Sequence, residues 1–145
     1  GSLIMIVSLP LFGIHGETTS NELNSIDYIA LLCCCIGFLF ESVGDYQLTK
    51  FKKNPANKGA ILNTGLWRYT RHPNYFGDAT VWFSFGLFSV ASGGYWHFIG
   101  ALVMIYLIIK ISGVAMLEKS LKKTKPGYRA YVESTNAFIP WFPKK

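Results

Sequence analysis

Gly65–Gly77 reads GLWRYTRHPNYFG, and an apolar run, Tyr75–Ala91 (YFGDATVWFSFGLFSVA), begins before it ends. Arg68, Arg71, His72 and Asn74 crowd donors between the two glycines. Pro73 removes a backbone donor and biases the residue before it towards extended geometry, so a short, rigid, cationic loop is expected. At the mouth of an apolar segment, such a loop suits a phosphate or a carboxylate. It would equally serve to orient a membrane helix by charge alone. The loop by itself leaves both readings open.

Working outward, the composition favours a membrane. Of 145 residues, 50% are hydrophobic, 16% aromatic and only 15% charged, against roughly 25% charged in soluble domains. Mean hydropathy is positive. The length fits one domain. The chain opens Gly1-Ser2 and carries no n-region or cleavage site, so no signal peptide is expected, and a piece of a longer protein is. A net charge of +6 would suggest nucleic acid or anionic lipid in a soluble protein. Here topology accounts for it, and no nucleic-acid partner is expected. Cys33-Cys34-Cys35 sit consecutively in an apolar run, without disulfide geometry or zinc spacing, and read as small membrane-helix residues; no metal is expected.

Three full spans are expected: Ile26–Val43, Tyr75–Ala91 and Tyr95–Leu117. Residues 3–14 are too short to span and are expected to be the end of a membrane helix or an interfacial segment. The fold class is all-α, a polytopic transmembrane helix bundle. Lysines and arginines alternate between connections: six lie in 46–74 and seven in 119–145, with none in 15–27 or 92–97. The positive-inside rule therefore places the 46–74 loop and the tail together on the cytoplasmic side of a multi-pass protein.

Glu41, Asp45, Asp78, Lys110 and Glu118 lie within or at the ends of these spans. An ionisable group at the bilayer centre costs at least ~2.5 kcal/mol, so such groups face a bundle interior or a water-filled cavity. Four of the five are acids at cytoplasmic helix ends, level with Arg71, His72 and Asn74. They suit salt bridges to the basic loop, and they also suit a large charged cofactor, with acids on hydroxyls or a carboxamide and cations on phosphates.

Four ordered blocks, GDYQL at 44–48, GLWRYTRHPNYFGD at 65–78, SGVAMLEKSL at 112–121 and PGYRAYVESTNAFIPWFPK at 126–144, resemble the steroid 5α-reductase-like membrane proteins. The nearest likeness is to their bacterial and plant branch of unknown function. The resemblance covers essentially Leu3 to Lys145. It implies a bundle of seven or more helices, with NADPH entering from the cytoplasmic side and this chain forming the cofactor-binding C-terminal portion. The N-terminal helices of the family carry the groups that polarise the substrate ketone, so no catalytic residue is assigned here. Membrane lipids and a lipid or steroid enone are the implied partners.

Carried over by position, Asp45, Gln47, Lys50 and Lys52 would serve the adenosine and phosphate end, with Lys50 and Lys52 selecting NADPH over NADH. Arg71, His72, Asn74, Tyr75 and Asp78 would lie along the pyrophosphate and nicotinamide. Glu118, Tyr128 and Tyr131 would close the site. Glu41 stands where several reductases have asparagine, and Asp78 where they have glutamate. The rival class is an S-adenosylmethionine-dependent methyltransferase of the isoprenylcysteine carboxyl methyltransferase type, which shares the Arg-His-Pro loop.

Overall fold

The computed structural model describes residues 2–16 and 22–144. The polar segment expected between the first two apolar runs falls partly outside them. Among the described residues the chain is helical without strands: α1 (Ser2–Gly16), α2 (Ser25–Lys53), α3 (Pro73–Ala91), α4 (Phe98–Tyr106), α5 (Val114–Thr124) and α6 (Tyr128–Ser134). Short 3₁₀ turns at Pro55–Asn57, Gly65–Arg68 and Tyr95–His97 join them, and a π-helical segment, Leu107–Ser112, links α4 to α5.

Asn24 starts α2 through a reciprocal capping box. Its side-chain oxygen accepts from the amides of Ile26 and Asp27, and Asp27 accepts from the Asn24 amide at 2.9 Å. The Asn24 amide group also donates to the Ala91 carbonyl at 3.1 Å, which fixes the start of α2 beside the end of α3. Pro73 stands at the first position of α3, where a missing N–H costs nothing, so the residue expected to interrupt helix instead begins one.

Two helical stretches, Ser25–Lys53 and Tyr95–Thr124, are long and apolar enough to cross a membrane. α3 has the length, at 19 residues, but Asn74, Asp78, Thr80, Ser84 and Ser89 dilute its apolar character. It packs against α1, α2 and α4. α1 is a shorter apolar helix that accommodates Pro10, which is buried against Gly100 of α4.

The α2–α3 contact is made by missing side chains. A Cβ on Gly77 would collide with the Glu41 amide nitrogen and lie 2.5 Å from the Gly37 carbonyl oxygen. One on Gly37 would meet the Gly77 carbonyl at 2.8 Å. Close backbone approach through small residues is how helices associate where lipid removes the hydrophobic incentive. One heptad on from Gly37, a Cβ on Gly44 would meet its neighbours more loosely, at 3.1 Å from the Asn74 nitrogen and 3.3 Å from Pro73. Gly77→Ala is therefore expected to destabilise by about 1–3 kcal/mol, as overpacking does, and Gly44→Ala by less. Thermal unfolding in detergent compares the two, and equal losses would rule out the Gly77 crossing as the tight one.

Candidate cofactor pocket at the basic end of the bundle

Everything that positions the site hangs on the loop after α2. The Gln47 side chain accepts from the Leu66 amide at 3.0 Å. Gly65 is at φ +62° directly against Gln47, where a Cβ would come within 2.6 Å of its side chain. The Trp67 indole donates to the Gly44 carbonyl at 3.1 Å, and the Tyr131 hydroxyl donates to the Trp67 carbonyl. The tail then straps the loop down. Arg71 N–H donates to Asn136, the Thr70 hydroxyl to Phe138 at 2.8 Å, and Trp141 N–H to Tyr69 at 2.9 Å. Loop and tail thus share one face, as the charge pattern implied.

At the centre of this face lies one carboxylate oxygen. Glu118 Oε1 accepts from Arg71 Nε at 2.8 Å, from His72 Nε2 at 2.9 Å and from the Tyr128 hydroxyl at 2.9 Å. Arg71 Nη1 donates to the carbonyls of Val132 and Thr135. Arg71 is 7% exposed and His72 1%, so the Nε and Nη1 of this guanidinium are held within the protein. Burial holds the His72 pKa below its usual 6.5 despite the hydrogen bond to Glu118. The neutral ring donates Nε2–H to Glu118, which leaves buried Nδ1 as an acceptor without a partner. Burial also pushes both tail tyrosines well above their ordinary value, reinforced for Tyr128 by its bond to Glu118.

Above this network opens a cavity of about 470 Å³. Its walls include Leu48, Phe51, Ile61, Leu117, Leu121 and Trp67, with Tyr128, Tyr131, Arg71 and His72 also lining it. Lys52, Lys58 and Lys125 also line it, and no carboxylate does so among the described residues.

The residues singled out from sequence fall into three groups. Lys52, Arg71, His72, Tyr128 and Tyr131 line the cavity, with Glu118 beneath them. Asp45 and Asn74 meet between α2 and α3, where Asn74 Nδ2 donates to Asp45 at 2.9 Å and Asn74 Oδ1 is buried without a partner. Asp78 and Glu41 stand near them electrostatically, and Trp82 donates to Asp78. Gln47 and Lys50 line a separate cleft with Gly65, and Lys50 Nζ lies 6.0 Å over the Tyr46 ring. The Tyr75 ring sits 5.9 Å from that of His72. Sequence reasoning passed over Trp67, Thr70, Lys58 and Lys125 as site residues. The lysines were counted only as topology charges, and nothing local marks them otherwise.

Removing one partner of a buried ion pair costs about 3–5 kcal/mol, so Glu118→Ala should destabilise by about that much, and Tyr128→Phe by about 1.5–3 kcal/mol. Chemical or thermal unfolding in detergent ranks them, and a milder loss for Glu118→Ala would remove it from the centre of the network. His72 also gives a pH dependence. Its pKa is lowered on folding, so the unfolded chain takes up the proton first as pH falls through about 6.5. Stability is then full above that pH and declines below it. The wild-type melting temperature should drop between about pH 7 and pH 5.5, and His72→Gln should flatten that part of the profile.

No solved structure matches the chain. It is 40% identical over 79 residues to the "Probable O-methyltransferase ustE" of Ustilaginoidea virens, covering 54% of this chain and 26% of that protein. It is 28% identical over 138 residues to an uncharacterized protein of Schizosaccharomyces pombe, covering 79% of this chain and 39% of that one. The chain thus spans well under half the length of these curated relatives. Residues 2–135 match the model of a family described as protein of unknown function, DUF1295, and the chain belongs to that family.

Proposed function

We propose that the chain forms the cofactor-binding part of a membrane-embedded, NADPH-dependent reductase that saturates the C=C bond of a lipid enone such as a 3-oxo-4-ene steroid. The observation that carries this reading is the cavity, with its apolar and aromatic walls, cations and absence of carboxylates at the polar end of an apolar bundle. A flat, apolar body bearing phosphate suits such a lining, and the blocks at 44–48, 65–78, 112–121 and 126–144 resemble the steroid 5α-reductase-like proteins.

The residues fit a nucleotide. His72 Nδ1 and Asn74 Oδ1 are buried acceptors without partners, and ribose hydroxyls, an adenine amine and a carboxamide all supply donors. Asp45 and Asp78 stand outside the cavity lining and would extend the acceptor set for a ligand reaching past it. Arg71 and Glu118 hold the floor rigid, and the tail strap limits water. NADPH, when bound, supplies hydride for the β carbon of the enone, the α carbon being protonated. The groups that polarise the ketone would come from further helices of a longer chain. The basic face would lie in the cytoplasm, where the cofactor is dissolved.

NADPH fluorescence titration of the full-length protein in detergent tests the assignment. Asn74→Ala and Asp78→Ala are expected to weaken binding by about tenfold or more, and wild-type affinity in both would take these residues out of the site. A methyltransferase reading is favoured by the printed name of the Ustilaginoidea virens relative and by the shared Arg-His-Pro loop. A larger thermal shift with S-adenosylmethionine than with NADPH would reverse the ranking.

A further inference from the structure

We propose that Lys52, Lys58 and Lys125 form a receptor for a phosphate monoester carried by the ligand that fills the cavity. The inference rests on the reading of that cavity as a nucleotide site and names what selects its occupant.

The three lysines come from three separate stretches: the last turn of α2, the loop after the Pro55–Asn57 turn and the connection between α5 and α6. All three line one cavity. Lys125 Nζ donates to the Ala60 carbonyl at 3.0 Å, stapling its connection to the Lys58–Ala60 loop. No ion pair or hydrogen bond engages the Lys52 or Lys58 ammonium among the described residues. A lining without a carboxylate presents no like charge to a bound anion. Arg71, the remaining cation, already satisfies Glu118 and two carbonyls. A phosphate monoester carries a charge of about −1.5 to −2 at neutral pH and three strong acceptor oxygens, which matches three ammonium groups. Lys50 is excluded by helix geometry. Residues two apart on a helix point about 200° apart, and Lys50 accordingly faces Tyr46 and the Gln47 cleft. Sequence paired Lys50 with Lys52; here Lys52 lines the cavity and Lys50 lines the adjoining cleft.

The same chemistry could be offered by a ribose phosphate or by a lipid phosphate monoester, and the experiment separates them. Affinities for NADPH and NADH are measured on the full-length protein in nanodiscs, for wild type, Lys58→Ala, Lys52→Ala/Lys58→Ala and Lys50→Ala. NADPH should bind wild type at least about tenfold more tightly than NADH. Lys58→Ala and the double variant should lose most of that preference while NADH affinity stays within about twofold, and Lys50→Ala should change neither. Competition by 2′,5′-ADP against NADPH should weaken in parallel. Equal losses for both cofactors, or none, would overturn the receptor and leave the cofactor reading intact. A wild-type protein that binds neither nucleotide would end both. Displacement of NADPH by phosphatidic acid in the nanodisc but not by 2′,5′-ADP would assign the lysines to lipid and overturn the nucleotide occupant. Lys58→Ala removes no contact within the protein, so an unchanged melting temperature is expected to accompany its binding defect.

Discussion

A single carboxylate oxygen, Glu118 Oε1, ties together three parts of the chain that would otherwise have no reason to meet. Arg71 and His72 approach from the loop before α3, Tyr128 from α6, and Glu118 itself from α5. Burying charges is expensive, and a buried pair adds little net stability over an apolar substitute, but it punishes any arrangement that leaves one partner alone. Its effect here is therefore geometric. With Arg71 held by Glu118 and by the carbonyls of Val132 and Thr135, the loop cannot slide along the helix ends, and the tail must return across it. The strap of hydrogen bonds from Thr70, Arg71 and Trp141 follows from that register.

A second constraint, the close crossing of α2 and α3, works on the membrane side of the same loop. Gly37 and Gly77 let the two backbones touch, and the capping residue Asn24 pins their far ends at Ala91. Because α3 begins immediately after His72, its first turn inherits both constraints. Asn74 is then delivered against Asp45, and Phe76 between Phe40 of α2 and Phe138 of the tail, at ring separations of 5.0 and 5.8 Å. Packing and polar network thus agree on one position for the loop. Agreement between levels of this kind is what lets a short stretch of chain hold a fixed constellation of side chains.

Much of this was legible in the residues. Apolar runs located the helices, charge asymmetry grouped loop with tail, the donor-rich Gly65–Gly77 loop singled out Arg71 and His72, and the cost of a charge near hydrocarbon singled out Glu118, before any geometry was known. Partnership was harder to read. Whether Arg71 points at a ligand or at Glu118 is decided by contacts between residues 47 apart in sequence, and no local pattern encodes that. Lys58 and Lys125 are brought to one cavity by a fold-level contact and read locally as ordinary surface lysines. Pro73 signals both loop end and helix start, and only the neighbouring structure selects between them. The π-helical turn at Leu107–Ser112 left no mark beyond Lys110 in an otherwise apolar run. Tyr75–Ala91 reads as a full span from its apolar run, while the glycines of α3 serve packing against α2 and α4.

The length of α2 explains why the cavity sits where it does. At about 1.5 Å per residue, its 29 residues extend well beyond a hydrocarbon layer of about 30 Å. Across a membrane its final turns would stand in the polar region, and Leu48, Phe51 and Lys52 of those turns line the cavity. Lys50, Lys52 and Lys53 at this end also suit the negative pole of the helix dipole. The end of α2, the loop clamped by Glu118 and the returning tail together wall a cavity that is lined both by apolar side chains and by Lys52, Lys58 and Lys125.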